Sequence, residues 1–309
     1  MIENIFSQQG GTSMQYQLLM FISRVICLLP HSVLLTIGKG LGIVYNKFIK
    51  KQRELAVMQM MRGLGLAEKE TRELVKQSFI NMGRTVLEIM YLPHLTKENY
   101  TNYIEIENLY RLKMALAEKK GVVVLTAHVG NWEWLSAAFT FAGMPVTAIA
   151  KPQPNEQYTR VLNTLRASTG AEIFSRGTSE LLGAARALKD GKILAFLSDQ
   201  DGGPGGAFID FLGKTASTPM GAAVFSKKFK SPILPIFMLR KPNGMHKAIV
   251  GEIMHYEDHG DSDKDLYNLT VKMTRIVEKI IRENPTQWLW FQKRWNTPPN
   301  EKKEKHHIV

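Results

Sequence analysis

The sequence predicts an α/β fold: a mostly parallel central sheet flanked by helices, with an N-terminal hydrophobic, helical, membrane-anchoring region in front of it. Two observations predict the sheet. From Gly121 onward, short β-branched apolar runs alternate with longer stretches of helical spacing, an order that argues for parallel strands joined by crossover helices. The first of these runs, Val122–Thr126, is five residues of Val, Leu and Thr, the form of a strand buried on both faces. A third observation predicts the anchor: Tyr16 to Tyr45 is strongly apolar and is followed at once by Lys47, Lys50, Lys51 and Arg53.

In chain order, residues 1–15 are polar and read as a flexible N-terminus. Residues 16–50 read as a hydrophobic membrane-associated segment. Arg24, Pro30, His31 and Lys39 interrupt it, so no uncharged run of 18 exists. It suits a snorkelling transmembrane or re-entrant anchor or an apolar helical hairpin lying against a bilayer, with a soluble-core segment as the alternative. Residues 51–120 read as a helical region packing on the core. Gly63-Leu64-Gly65 breaks that region, and Leu74, Val75, Phe79, Met82, Val86, Leu87 and Met90 form a core-facing stripe. Pro93 ends the helix, Thr101–Leu109 is a short edge strand, and Arg111–Glu118 is a helix stopped by Lys119-Lys120-Gly121.

The region 121–298 carries the alternation. Strands are expected at Val122–Thr126, Val146–Ala150, Ala171–Phe174, Ile193–Leu197, Ile233–Met238 and His246–Gly251. Helices are expected at Trp132–Phe141, Asn155–Ser168, Ser179–Lys189, Met220–Lys228 and Leu266–Arg282. Residues 299–309 read as a disordered basic tail.

Composition narrows the function. The 309 residues hold a net charge of +12, which suits an anionic partner: a phosphorylated substrate, anionic lipid or nucleic acid. No zinc-finger, helix-turn-helix or aromatic-basic strand signature supports nucleic acid, and none is expected as a partner. The single cysteine, Cys27, excludes a disulfide framework and a cysteine-rich zinc site. No H-E-x-x-H, G-x-S-x-G, G-x-G-x-x-G or P-loop pattern stands in the required context, so neither a metal nor a nucleotide cofactor is expected.

The chemistry concentrates in His128-Val-Gly-Asn-Trp-Glu133. His128 falls in the turn after a strand, and Glu133 in the first turn of a helix that Asn131 can cap. On one continuous helix the two would diverge by about 140°; in a loop and a helix start they can meet. A carboxylate on one ring nitrogen fixes the tautomer and leaves the other free as a base. The same residues also suit a polar turn and a solvated helix-start charge. Lys151-Pro152 follows the next strand toward the same crevice, and the next helix carries Arg160 and Arg166, of which Arg166 is placed to bind a phosphate or an oxyanion or else stands solvated on the helix. Ser198-Asp199-Gln200-Asp201-Gly202-Gly203-Pro204-Gly205-Gly206 places a carboxylate at a strand end before a glycine-rich loop, a close-approach site or a simple turn.

Taken together, HVGNWE resembles the H-x4-[D/E] motif of the glycerophospholipid acyltransferase superfamily. With the Lys151-Pro152 step, the SDQDGGPGG loop and the closing QWLWFQKRWNTPP, the chain resembles the bacterial lipid A late acyltransferases, the lauroyl/myristoyl acyltransferase family, from about Leu18 to Pro298. The family usually has Arg where Lys151 stands and Pro where Ser198 stands. The resemblance implies O-acyl transfer from acyl carrier protein, or a CoA thioester, to a hydroxyl of a phosphorylated glycolipid acceptor, a lipid A precursor. It implies inner-membrane lipid as a partner and a catalytic domain on the cytoplasmic face of the inner membrane. It implies His128 as general base with Glu133 as its orienting partner, and Arg166, Asp199, Lys151 and Arg160 as oxyanion or substrate-phosphate residues. Trp132, Trp134, Gly202 and Gly203 are candidate acyl-pocket or substrate-loop residues. A lysophospholipid or glycolipid acceptor, and a non-catalytic anionic-lipid-binding protein, stay open beside it.

Overall fold

A computed structural model describes residues 13–144, 146–150, 153–175 and 178–299. Residues 1–12 of the N-terminus expected to be flexible, the expected tail from residue 300 and the Lys151-Pro152 step lie outside the described residues, whereas Met14 and Gln15 of that N-terminus are helical.

Four helices open the chain: α1 (Met14–Ile26), α2 (His31–Phe48), α3 (Lys50–Leu64) and α4 (Glu68–Met90). Strand β1 (Ile104–Glu107) and α5 (Leu109–Ala117) follow. Then come β2 (Val122–Thr126), α6 (Trp132–Phe141), β3 (Val146–Ala150), α7 (Glu156–Ala167), β4 (Glu172–Ser175), α8 (Thr178–Lys189) and β5 (Ile193–Leu197). A hairpin of β6 (Ala207–Phe211) and β7 (Lys214–Thr218) leads to α9 (Gly221–Phe229), β8 (Ile233–Arg240), β9 (His246–Val250) and α10 (Ser262–Glu283). After α10 the chain runs back across the sheet as an aromatic strap through Trp288 and Trp290.

The seven-stranded sheet has the order β1-β9-β8-β2-β5-β3-β4. All neighbouring pairs are parallel except β8 and β9. Helices cover both faces, and β2 shows why its sequence is uniformly apolar. Val122 and Val124 join the core with Leu34, Leu87, Tyr91 and Trp134, whereas Val123 and Leu125 join the one with Phe79, Leu194, Val277 and Trp288. Successive residues of a strand point to opposite faces, so a strand covered twice has no polar side.

Helix spacing accounts for the outer layers. Leu269, Met273, Val277 and Ile281 repeat every fourth residue of α10 and are buried, while the Asp261 side chain caps the helix by accepting from Lys264 N. Helices α2 and α4 cross where glycines stand. A Cβ on Gly38 would come within 2.6 Å of Arg84 Cα, and one on Gly42 would meet the backbone of Phe79 and Ile80. Without side chains there, the two backbones pack in direct contact.

No helix among the described residues is long and apolar enough to cross a membrane. That overturns the expected membrane-anchoring region and, with it, the expected placement at the inner membrane. Pro30 splits the apolar stretch into helices of 13 and 18 residues, against the roughly 20 consecutive apolar residues a span requires. The first carries Arg24 and the second Lys39 and Lys47. Both are fastened to the protein: Ser23 Oγ donates to Met90 O at 2.6 Å, and Tyr16 Oη lies 3.1 Å from Thr164 Oγ1. The hairpin β6–β7 also escaped the sequence reading, because its strands are only five residues each and neither AFIDF nor KTAST alternates apolar with polar residues.

Candidate active site

β2 and β5 are parallel neighbours with Thr126 opposite Leu197. His128 and Asp199 each stand two residues beyond those strand ends, so sheet register alone brings them side by side. Asp199 Oδ1 accepts from His128 Nδ1 at 2.8 Å, and Oδ2 accepts from the His128 backbone N–H at 3.0 Å. Oδ2 also accepts from Trp288 Nε1 at 2.7 Å and from Gln292 Nε2 at 3.2 Å. Burial of the wholly enclosed Asp199 works against its ionisation. The charge and hydrogen bond of His128, the Trp288 indole and the His128 backbone N–H outweigh it, holding the carboxyl at about 2.

An ionised carboxylate only accepts hydrogen bonds, so in neutral His128 the proton sits on Nδ1 and Nε2 carries a lone pair. The His128 side chain is 15% exposed, which leaves this nitrogen within reach of a substrate. The Trp132 ring lies edge-on to the imidazole at 5.0 Å between centroids.

Glu133 does not occupy the place expected for it at His128. It is held by Arg166, whose Nε donates to Oε2 at 2.7 Å and whose Nη2 donates to Oε1 at 2.6 Å. Trp132 Nε1 adds a third bond at 3.2 Å. Burial lowers the Arg166 pKa, but the Glu133 charge and hydrogen bonds outweigh that and raise it, so the guanidinium stays charged. Arg160, two turns earlier on α7, is turned away: its guanidinium stacks on Tyr16 at 4.5 Å. Among the described residues the site therefore contains two carboxylate pairs, Asp199 with His128 and Glu133 with Arg166. Asp199 carries the wrong sign for the expected anion binding, since a buried negative charge repels an oxyanion or a phosphate.

The loop joining β2 to α6 is fixed on three sides. Gly130 has φ +61°, and a Cβ there would strike the Met238 carbonyl of β8; its N–H donates to Gln287 O at 2.8 Å. Asn131 caps α6 by accepting from Trp134 N at 3.1 Å and donates through Nδ2 to Glu88 Oε2 at 2.9 Å. Behind Asn131 lies a buried cluster. Glu88, fully enclosed, takes Arg240 through both carboxylate oxygens at 2.5 and 2.6 Å, and His246 and His31 at 3.0 Å each. Burial opposes the Glu88 charge, and His246 and Arg240 overcome it, keeping the carboxyl well below its ordinary range. These His–Glu pairs have the composition of a dyad but no solvent access at Glu88.

The remaining expectations sort by burial. Trp134 has no exposed surface; its Nε1 donates to Glu88 O at 2.8 Å and it stacks on His31, so it is core rather than pocket wall. Gly202 and Gly203 are sewn to β7: Gly202 N donates to Ser217 O at 2.9 Å, and Ser217 Oγ donates to Gly203 O at 2.6 Å. Asp201 accepts from Thr297 N and Oγ1, closing the strap over the loop. The sequence reading missed Trp288 and Gln292 as partners of Asp199, and Glu88 as partner of Asn131. The run QWLWFQ was visible as an aromatic stretch, but nothing in it marks which indole N–H meets a carboxylate nearly 90 residues away. Among the described residues, no group of three or more His, Cys, Asp or Glu side chains is arranged to hold a metal ion.

Comparison with known proteins identifies the family. The chain is 26% identical over 276 residues to a lipid A biosynthesis palmitoleoyltransferase of Escherichia coli (strain K12), covering 88% of this chain and 87% of the relative. It is 24% identical over 280 residues to the lipid A biosynthesis lauroyltransferase of the same organism, covering 88% of each. A phosphatidylinositol mannoside acyltransferase of Mycolicibacterium smegmatis is 22% identical over 228 residues, 72% of each chain. The family described as bacterial lipid A biosynthesis acyltransferase matches residues 11–297, nearly the whole sequence. The chain belongs to that acyltransferase family.

Proposed function

We propose that the protein transfers a fatty acyl group from an acyl carrier protein or CoA thioester to a hydroxyl of a phosphorylated lipid A precursor, with His128 as the general base. The observation that carries this reading is the 2.8 Å bond from His128 Nδ1 to the buried, ionised Asp199, which leaves Nε2 as a lone-pair nitrogen at a partly exposed position. His128 Nε2 takes the acceptor hydroxyl proton as the oxygen attacks the thioester carbonyl. The tetrahedral intermediate collapses with cleavage of the C–S bond, and the imidazolium returns its proton to the leaving thiolate. Asp199 stabilises the imidazolium while it lasts, the orienting role that the sequence reading gave to Glu133.

Glu133 then serves differently. Its pairing with Arg166 cancels a carboxylate charge at the start of α6, where the backbone N–H groups of Trp132 and Glu133 are not needed inside the helix. A bare carboxylate there would repel a developing oxyanion; an ion pair leaves the helix N-terminus able to stabilise it. The family's lipid A relatives support a lipid A precursor as acceptor, and the basic composition suits a phosphorylated one. The likeness to phosphatidylinositol mannoside acyltransferases favours one second reading, a glycosylated phospholipid acceptor.

The test is acyl transfer by the purified chain from a panel of carrier-protein and CoA thioesters to a bis-phosphorylated lipid A precursor and to a phosphatidylinositol mannoside. Product on the lipid A precursor alone is the expected result. Product on the mannoside alone supports the second reading, and no product on either overturns the reaction class.

A further inference from the structure

Outside the site of His128, one cavity combines charge, shape and an apolar floor. It has a volume of about 400 Å3 and is lined by residues of three separate segments. Helix α3 contributes Lys51 and Arg62, the start of β7 contributes Lys214, and the strap contributes Lys293. All four cations are exposed, and among the described residues none is ion-paired. The acidic residue of α3 nearest in sequence, Glu54, is bound by Arg53 and Arg72 instead. Four positive side chains around one concavity repel each other until an anion enters, and field lines converge in such a cleft.

The floor is apolar. Leu55, Met58, Leu212 and Trp295 line it. Leu212 takes φ +53°, a left-handed conformation that costs an ordinary side chain roughly 1 kcal/mol or more, and its backbone N–H donates to Glu278. Its side chain packs where Gly63 leaves room: a Cβ on Gly63 would come within 3.1 Å of Leu212 Cβ. The walls are also rigid. Gln59 donates to the backbone carbonyls of Trp290 and Gln292, and Trp295 Nε1 donates to Lys214 O at 3.1 Å.

We propose that this cavity is an accessory binding site for the phosphomonoester end of an amphiphile, the phosphate held among Lys51, Arg62, Lys214 and Lys293 and the first carbons of the chain lying on Leu55, Met58 and Trp295. Its size is that of a small-ligand pocket, whereas a docked protein needs a face of about 800 Å2. A dianionic phosphate matches the uncompensated charge, and a guanidinium beside ammonium groups is the donor set that phosphate binds well. The site is distinct from the acyl-transfer centre and binds whether or not acyl transfer takes place, so the two readings fail separately. It is joined to that centre by the strap, because Gln292, whose carbonyl Gln59 holds, also donates to Asp199.

The experiment is equilibrium binding of dihexanoyl phosphatidate, below its micelle concentration, to the full chain without any thioester donor. Inorganic phosphate, dihexanoyl phosphatidylcholine and apo acyl carrier protein serve as competitors. The expected result is one saturable site of micromolar affinity, weakened at least tenfold in the Lys214→Gln/Lys293→Gln double variant and unchanged in Lys189→Gln, a lysine of α8 that does not line the cavity. All three substituted side chains are exposed, and equal thermal midpoints check that the fold is kept. Several results overturn the proposal: no saturable binding, undiminished binding by the double variant, or competition by inorganic phosphate as strong as by phosphatidate. Loss of carrier-protein affinity alone in the double variant overturns it too, assigning the cations to the carrier.

Discussion

Replacing Asp199 by Asn probes the proposed base through its tautomer. Three N–H donors converge on Asp199 Oδ2: the His128 backbone at 3.0 Å, Trp288 Nε1 at 2.7 Å and Gln292 Nε2 at 3.2 Å. An amide has one accepting oxygen, and these donors claim it. The Asn NH2 group is then turned toward His128 Nδ1, where it donates a hydrogen bond and stabilises the neutral tautomer with its proton on Nε2. The nitrogen proposed to accept the hydroxyl proton is thereby blocked, and the counter-charge for the imidazolium is gone. The same exchange in catalytic triads costs about 10^4 in turnover; a fall of about 10^3 to 10^4, or roughly 4–5.5 kcal/mol, is expected here. The assay is the initial rate of acyl transfer at saturating thioester, with KM determined alongside. The fall should lie in kcat with KM little changed, and nitrogen NMR of the His128 ring should report the changed tautomer. An Asp199→Asn protein that is folded and turns over within threefold of the parent refutes the reasoning.

Three further outcomes follow from the same geometry. Glu88→Gln leaves Arg240 buried without its counter-charge, which costs about 3–5 kcal/mol; calorimetry should show a Tm lower by about 10 °C at roughly 2–4 °C per kcal/mol, and a shift under about 2 °C contradicts the cluster's structural role. Gly130→Ala puts a Cβ against the Met238 carbonyl at a positive φ, so the loop carrying His128 must move; turnover should fall about 10^2-fold, the scale of a 1 Å misplacement, and parent-like turnover would show that the loop tolerates a side chain. Asp199, held at about 2 against about 3.9 in an unfolded chain, contributes about 2–3 kcal/mol of stability that is present above about pH 5 and is lost progressively as the pH falls through 2. Denaturant unfolding at pH 5 and pH 3 should therefore show the parent losing more stability than Asp199→Asn, and equal losses would contradict the assignment.

The alternation of strands and helices was legible because burial on both faces leaves a plain record: β2, α6, β3 and β5 fall on the residues that the apolar runs predict. The edge of the pattern was less clear. Strands β6 and β7 are short and half-exposed, and nothing local separates them from the glycine-rich loop before them. The apolar N-terminal stretch misled for a physical reason: hydropathy records that Tyr16, Ile26 and Leu34 are apolar, not that they are buried in the core once Pro30 and the α2–α4 glycines fold the stretch into a helical pair against α4 and α7. At the site, His128, Asp199, Glu133 and Arg166 were all visible as residues. Their pairing was not, because spacing along one chain favours Glu133 as the neighbour of His128, whereas strand register brings Asp199 there. Trp288, Gln292, Glu88 and Arg240 act across more than 40 residues of sequence and leave no local signal.

The measurement that bears most directly on the central claim is a single-turnover reaction of His128→Ala with a labelled acyl carrier protein thioester and the phosphorylated lipid A precursor, beside the parent chain. The expected result is direct transfer by the parent without a labelled acyl-enzyme. His128→Ala, with an unchanged Tm, should transfer at least about 10^2-fold more slowly, the contribution of a positioned general base. Transfer by His128→Ala within threefold of the parent, or accumulation of a covalent acyl-enzyme, would contradict it.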